Sequence, residues 1–128
     1  MRITHIDHLV LTVRNIEVTV EFYETVLGFT RKSFGHGREA LLFGQQKINL
    51  HEHGKEVEPK AWTPLPGSAD LCFVTDMDLL EAMTHVQNNG VQIISGPVSR
   101  TGARGPMKSF YFRDPDFNLI EVASYGSK

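Results

Sequence analysis

One order of residues occurs twice in this chain, and few architectures accommodate it. Residues Ile6–Gly28 run from an alternating stretch, IDHLVLTV, through a polar RN to IEVTVEFYETVLG. Residues Ala69–Gly90 keep that order with ADLCFVT, DMD and LLEAMTHVQNNG. A shift of 62 positions lays His8 on Asp70, Val13 on Thr75 and Gly28 on Gly90. Each copy is followed by extended segments, so the repeating unit reads as strand, helix, then three strands. A length of 128 residues suits one domain and is too short for two ordinary ones. The expected fold is therefore α+β: one domain over residues 1–128 built from two tandem βαβββ modules. Module one covers about 4–53, a linker 54–68, and module two about 69–124. Twisted sheets from such modules can curve around a cavity, and each first strand begins near a metal-competent side chain, His8 or Asp70.

Composition narrows the function. A hydrophobic content of 41% and a charged content of 22% are those of a soluble globular protein. The formal charge of -2 argues against a nucleic-acid partner, which would call for a strongly basic face. Apolar runs fall short of a membrane span, and the first residues lack a basic region followed by an apolar one, so a cytoplasmic location is expected. The single cysteine, Cys72, excludes an intrachain disulfide and a thiolate-rich zinc site. The expected partner is a small molecule.

Strand parity sorts side chains into two faces. In Ile6–Val13, Leu9, Leu11 and Val13 should meet the helix, leaving His8, Val10 and Thr12 on the concave side. Asn15 is placed to cap that helix and Gly28 to end it, with Val18, Phe22, Tyr23, Val26 and Leu27 as its apolar stripe. A turn at Phe34–Arg38 leads to strand Glu39–Phe43. In the next strand, Lys47–His53, Asn49, His51 and His53 share one face. Gly54–Ser68 carries Pro59, Pro64 and Pro66 and reads as a linker, anchored by Trp62. In module two Asp70, Cys72 and Val74 face the concave side, and Asp78 with Glu81 opens a helix bearing Leu79, Met83 and Val86. A strand near Val91–Ile94, a loop at Gly96–Pro106 and strands Lys108–Arg113 and Asn118–Ser124 complete the module. Glu121 points away from its apolar neighbours Ile120 and Val122.

The segments IDHLVLTV, EFYETVLGF, KINLHEHG and FYFRDPDFNLIEV, at this spacing, resemble the vicinal-oxygen-chelate superfamily of glyoxalases, fosfomycin- and bleomycin-resistance proteins and extradiol dioxygenases. Within it the chain is most similar to small proteins labelled glyoxalase domain-containing protein 5 and to bacterial virulence proteins. The resemblance implies ligands from the first and last strands of each module, which fall on His8, Asn49, Asp70 and Glu121. The chain departs from the usual pattern at Asp70, where relatives carry histidine, and at Asn49, a poor ligand. It also implies a homodimer in which first-module strands of one chain pair with second-module strands of another. The turn Asp114–Phe117 has a fold role, and Phe117 in place of a common glycine implies a backbone with no need of glycine.

Glu121 is the strongest signal, because a carboxylate in an apolar strand needs a partner, either a metal or a loop arginine. His8 fits the ligand reading better than that of a buried core histidine. Asp70 is either a third ligand or a strand-start residue bonding backbone amides. A His8/Asp70/Glu121 set suits a divalent ion such as Ni, Zn, Mn or Fe. His51 could complete the shell, donate to substrate or line the pocket. Arg100 and Arg104 lie among Gly96, Pro97, Gly102 and Gly105, in a loop that could grip an anion or simply be solvated. Cys72 reads as a structural thiol.

The resemblance implies, first, a glyoxalase I-like lyase for detoxification of the methylglyoxal–glutathione thiohemiacetal, with glutathione as co-substrate. Glu121 would act as ligand and base, His51 would hydrogen-bond the developing oxyanion, and Asn49, Arg100 and Arg104 would contact substrate. The alternatives are fosfomycin-type epoxide opening and metal-free sequestration of a small molecule.

Overall fold

The computed structural model describes residues 1–126. Among the described residues two helices and eight strands form two four-stranded sheets, one per compact unit, and the chain passes from the first unit to the second between Ser68 and Ala69. These are the two tandem βαβββ modules that the repeat predicts. Among the described residues no helix is long and apolar enough to cross a membrane.

Module one runs β1 (His8–Val13), α1 (Ile16–Leu27), β2 (Thr30–Phe34), β3 (Arg38–Phe43) and β4 (Gln46–Glu52), with sheet order β1-β4-β3-β2. Asn15 caps α1 from an extended backbone, its Oδ1 accepting the Val18 N–H at 2.9 Å, and Gly28 ends it in the left-handed region at φ 72°. The buried stripe is Thr19, Val20, Tyr23 and Val26, rotated from the expected one, and Val18 is exposed. Thr19 can be buried because its hydroxyl donates to the Asn15 carbonyl at 2.9 Å. Beneath the helix, Tyr23, Phe29 and Phe43 stack in series over a core of Leu11, Val13, Leu41, Ile48 and Leu50. Arg31 fastens helix to sheet. Its Nε donates to Glu39 at 2.8 Å and its two terminal nitrogens donate to Glu17 at 2.8 and 2.7 Å.

The linker is irregular, as its prolines predict, but Trp62 is fully exposed rather than packed as an anchor among the described residues.

Module two runs β5 (Asp70–Val74), α2 (Leu79–Asn88), β6 (Ser95–Gly102), β7 (Gly105–Arg113) and β8 (Leu119–Ser124), with sheet order β5-β8-β7-β6. Two expectations fail here. No strand forms at 91–94, and the expected loop at Gly96–Pro106 is largely the hairpin β6–β7. The breakers have other jobs. Gly96 and Pro97 sit in a bulge, where the register jumps from Ser95–Tyr111 to Val98–Ser109. A proline is tolerated there because β6 is an edge strand. Gly102 and Gly105 close the tight turn of the hairpin. The core is Phe110, Phe112, Ile120 and Val122, with Ala82 and Val86 buried on α2.

The turn between β7 and β8 is held by Asp114 and Asn118. Asp114 Oδ1 accepts the Asp116 and Asn118 N–H groups at 2.9 and 3.0 Å, and Oδ2 accepts from Asn118 Nδ2 at 2.8 Å. Asn118 Oδ1 then accepts the Ala69 N–H at 2.9 Å, tying the turn to the start of β5. Phe117 lies at φ 67°, so the expectation of a backbone with no need of glycine was wrong. The turn keeps its left-handed step and imposes it on an aromatic residue.

Candidate functional site

The repeat has a structural counterpart in the pairing of first and last strands. Both pairs are parallel, with Val10 opposite Asn49 in one and Cys72 opposite Glu121 in the other. The 62-position shift carries Val10 onto Cys72, so Asn49 and Glu121 occupy equivalent places in the two modules. Each also buries a side-chain oxygen, Asn49 Oδ1 and Glu121 Oε2, without a hydrogen-bond partner in the protein. A buried unpaired oxygen costs about 1–3 kcal/mol. The same cost recurs at the same position of both modules.

In module one, β4 presents Lys47, Asn49 and His51 on one face. His51 is 8% exposed and its Nε2 has no protein partner. Burial, and then the charge of Arg38, hold the ring below the ordinary histidine value against the pull of Glu56, which keeps the imidazole neutral near pH 7. His8, opposite Lys47, is exposed, with its Nδ1 2.8 Å from Asp7 Oδ2. That bond holds the Asp7 carboxyl below its usual value. It engages Nδ1 and leaves Nε2 as the ring's other nitrogen.

In module two, the row through Glu121 reads Cys72, Glu121, Tyr111 across β5, β8 and β7. Asp70, two residues before Cys72, is exposed on the same face. The Cys72 thiol is pushed up to about 11, by partial burial first and the charge of Glu121 second. Arg100 is docked on this row, its Nε donating to the Tyr111 hydroxyl at 2.9 Å and its guanidinium lying over the ring. Arg104, at the hairpin tip, is stacked on a different ring, Tyr125, at 4.2 Å. Among the described residues no three His, Cys, Asp or Glu side chains group to hold an ion. Sequence reasoning missed Asp7, Phe34, Arg38, Lys47 and Tyr111, although strand parity already put Lys47 on the face of Asn49.

Residues 5–122 match the model of the Glyoxalase/Bleomycin resistance protein/Dioxygenase superfamily. The chain belongs to that superfamily. This glyoxalase-superfamily protein is 54% identical over 125 residues to a glyoxalase domain-containing protein of Mycosarcoma maydis, covering 98% of this chain and 70% of the relative. It is also 54% identical to a virulence protein of Salmonella typhimurium, covering 98% and 87%. An integron cassette protein from the mobile metagenome of V. cholerae superposes with a TM-score of 0.97 at 62% identity, covering 98% of each chain. Lower in identity, a lactoylglutathione lyase of Agrobacterium tumefaciens (21%, TM-score 0.74) covers 97% of this chain and 96% of its own. The fosfomycin resistance protein FosX of Listeria monocytogenes, solved with Mn(II) and a dihydroxypropylphosphonic acid, covers 98% and 93% (20%, TM-score 0.67). Those two share the fold.

Proposed function

We propose that the protein is a divalent-metal-dependent lyase of the glyoxalase I type, acting on a small substrate with neighbouring oxygens. The observation that carries this reading is Glu121, a carboxylate in an apolar strand with one oxygen buried and unpartnered. His8, Asp70 and Glu121 would hold the metal. One imidazole and two carboxylates are a donor set suited to Mn, Fe, Zn or Ni, and the Asp7–His8 bond already orients the imidazole. The metal, when bound, would act as a Lewis acid on neighbouring substrate oxygens.

The chain's own groups supply the rest. Glu121 takes the proton from the carbon beside the carbonyl and returns it to the neighbouring carbon, which converts the thiohemiacetal to a thioester without net redox change. Neutral His51 donates to the oxygen on which charge develops. The reading carries a homodimer in which one protomer's His8 meets its partner's Asp70 and Glu121. Co-purified His8→Ala and Glu121→Ala chains would then hold metal in about a quarter of their sites, although neither variant binds it alone.

Metal analysis of untagged protein tests the proposal. Near-stoichiometric Mn, Ni, Zn or Fe that is lost in Glu121→Ala, with turnover of methylglyoxal–glutathione, supports it. Protein that retains none of these ions after incubation defeats it, and metal-free sequestration takes its place. Epoxide opening has one observation in its favour, the docking of Arg100 on Tyr111 beside Glu121, where a phosphonate could be gripped. Turnover of fosfomycin but not of methylglyoxal–glutathione selects that reading.

A further inference from the structure

The sheet face of module one that carries Asn49 also holds a cationic cluster that the metal reading leaves unused. Phe34 on β2 and Lys47 on β4 are separated by β3, yet Lys47 Nζ lies 4.4 Å from the centre of the Phe34 ring. The Arg38 guanidinium lies 4.8 Å from the same ring. The contact between Phe34 and Lys47 runs diagonally over β3, where Arg38 stands opposite Phe34, Leu42 opposite Lys47, and the fully buried Ala40 between them. Two cations held to one ring repel each other, and neither makes an ion pair among the described residues. Asn49 is 5% exposed and His51 8%, and their unpartnered Oδ1 and Nε2 lie on the face that Lys47 shares. The neighbouring acids, Asp7 beside His8 and Glu56 beside His53, are already bonded.

These groups ask for different things of one ligand. The cations need negative oxygens, and the Asn49 carbonyl oxygen needs a donor. A plain carboxylate would leave Asn49 unsatisfied, and a neutral diol would leave Arg38 without a counter-charge and Lys47 with only the more distant charge of Asp7. We infer that this face binds a small 2-hydroxy carboxylate, with the carboxylate on Arg38 and Lys47, its hydroxyl donating to Asn49 Oδ1, and His51 Nε2 donating to a carboxylate oxygen. Phe34 holds the two cations in place and walls off water. The inference goes beyond the lyase proposed above, whose thiohemiacetal is not a 2-hydroxy carboxylate, and no metal is required for its test.

That test is an NMR titration of the full chain, at constant ionic strength, with lactate, propionate and propane-1,2-diol. Lactate should give saturable shifts of the Asn49 side-chain amide and the His51 ring. Propionate should bind about tenfold more weakly and the diol not measurably. Arg38→Gln and Lys47→Gln should each weaken lactate binding about tenfold while keeping the dispersed spectrum, and Lys60→Gln should change nothing. Equal affinity for propionate, unchanged affinity in Arg38→Gln, or shifts scattered away from Asn49 and His51 would overturn the inference. Metal-binding protein without a lactate response defeats this site and spares the lyase. Lactate binding by protein that holds no metal does the reverse.

Discussion

Glu121 stands directly opposite Cys72 across the parallel pair β5–β8 and, together with partial burial, holds the thiol protonated. An exposed cysteine is ordinarily the first group to be alkylated. Here its value of about 11 against an ordinary 9.0 leaves roughly 100-fold less thiolate at pH 8. Iodoacetamide should therefore react slowly with the folded protein, with a rate that inflects near pH 11. Glu121→Gln should speed the reaction at pH 8, though only in part, because burial is the larger cause and stays. A rate at pH 8 equal to that of an unfolded control would show that the thiol is not held in this way.

Phe117 occupies a left-handed backbone at φ 67° and is 67% exposed, so the conformation is strained while little burial is at stake. Phe117→Gly should stabilise the protein by about 0.5–1 kcal/mol, the relief of strain less the added freedom of the unfolded chain. Phe117→Val should do the opposite, since β-branching makes that region less accessible still. Urea denaturation measures both. A Phe117→Gly midpoint below that of the parent would mean that the ring contributes more than the strain removes.

The backbone of Gly96 runs against β7 so closely that a Cβ would lie 2.6 Å from Phe110 Cα and 2.7 Å from the Ser109 oxygen. Gly105 has a similar φ, 127° against 116°, but open space around it. The pair separates overlap from backbone strain. Gly105→Ala should cost about 1–2 kcal/mol and Gly96→Ala at least about 2 kcal/mol more. Equal losses would mean that β6 shifts to admit a methyl group.

What could be read in advance follows the range of the interaction that fixes each feature. The caps Asn15 and Gly28 act within one turn of helix, and the structure realises both. The helix stripe was misplaced because threonine scores as polar. Thr19 escapes the rule by bonding the Asn15 carbonyl, a partner four residues away that composition cannot show. The hairpin at 95–113 stayed hidden because Gly96, Pro97 and Gly102 look like breakers unless the bulge and the partner strand are known. At the candidate site, parity alone set Glu121 apart from Ile120 and Val122. Arg38 and Phe34 were assigned to a turn, so the cation pair on the Phe34 ring became visible only with β2 and β3 in register. The equivalence of Asn49 and Glu121 was latent in the repeat, but their unpartnered oxygens were not.

Arg31 makes the stability of module one depend on acid. It holds the carboxyls of both Glu39 and Glu17 below the ordinary 4.5, and Ser33 adds a hydrogen bond to Glu39. Because both values are lowered on folding, the contribution is fully present above the unfolded value of 4.5 and is lost as pH falls through the lower folded values. The parent's urea midpoint should accordingly drop more steeply between pH 5 and pH 3 than that of Glu39→Gln, with a constant gap between the two above pH 5. The two arms should also differ in their response to salt. Glu17 is 73% exposed in its side chain and Glu39 only 15%, so sodium chloride at about 1 M should erase the effect of Glu17→Gln and leave most of that of Glu39→Gln. Parallel acid profiles for parent and Glu39→Gln would show that the Arg31 clamp forms without contributing to stability.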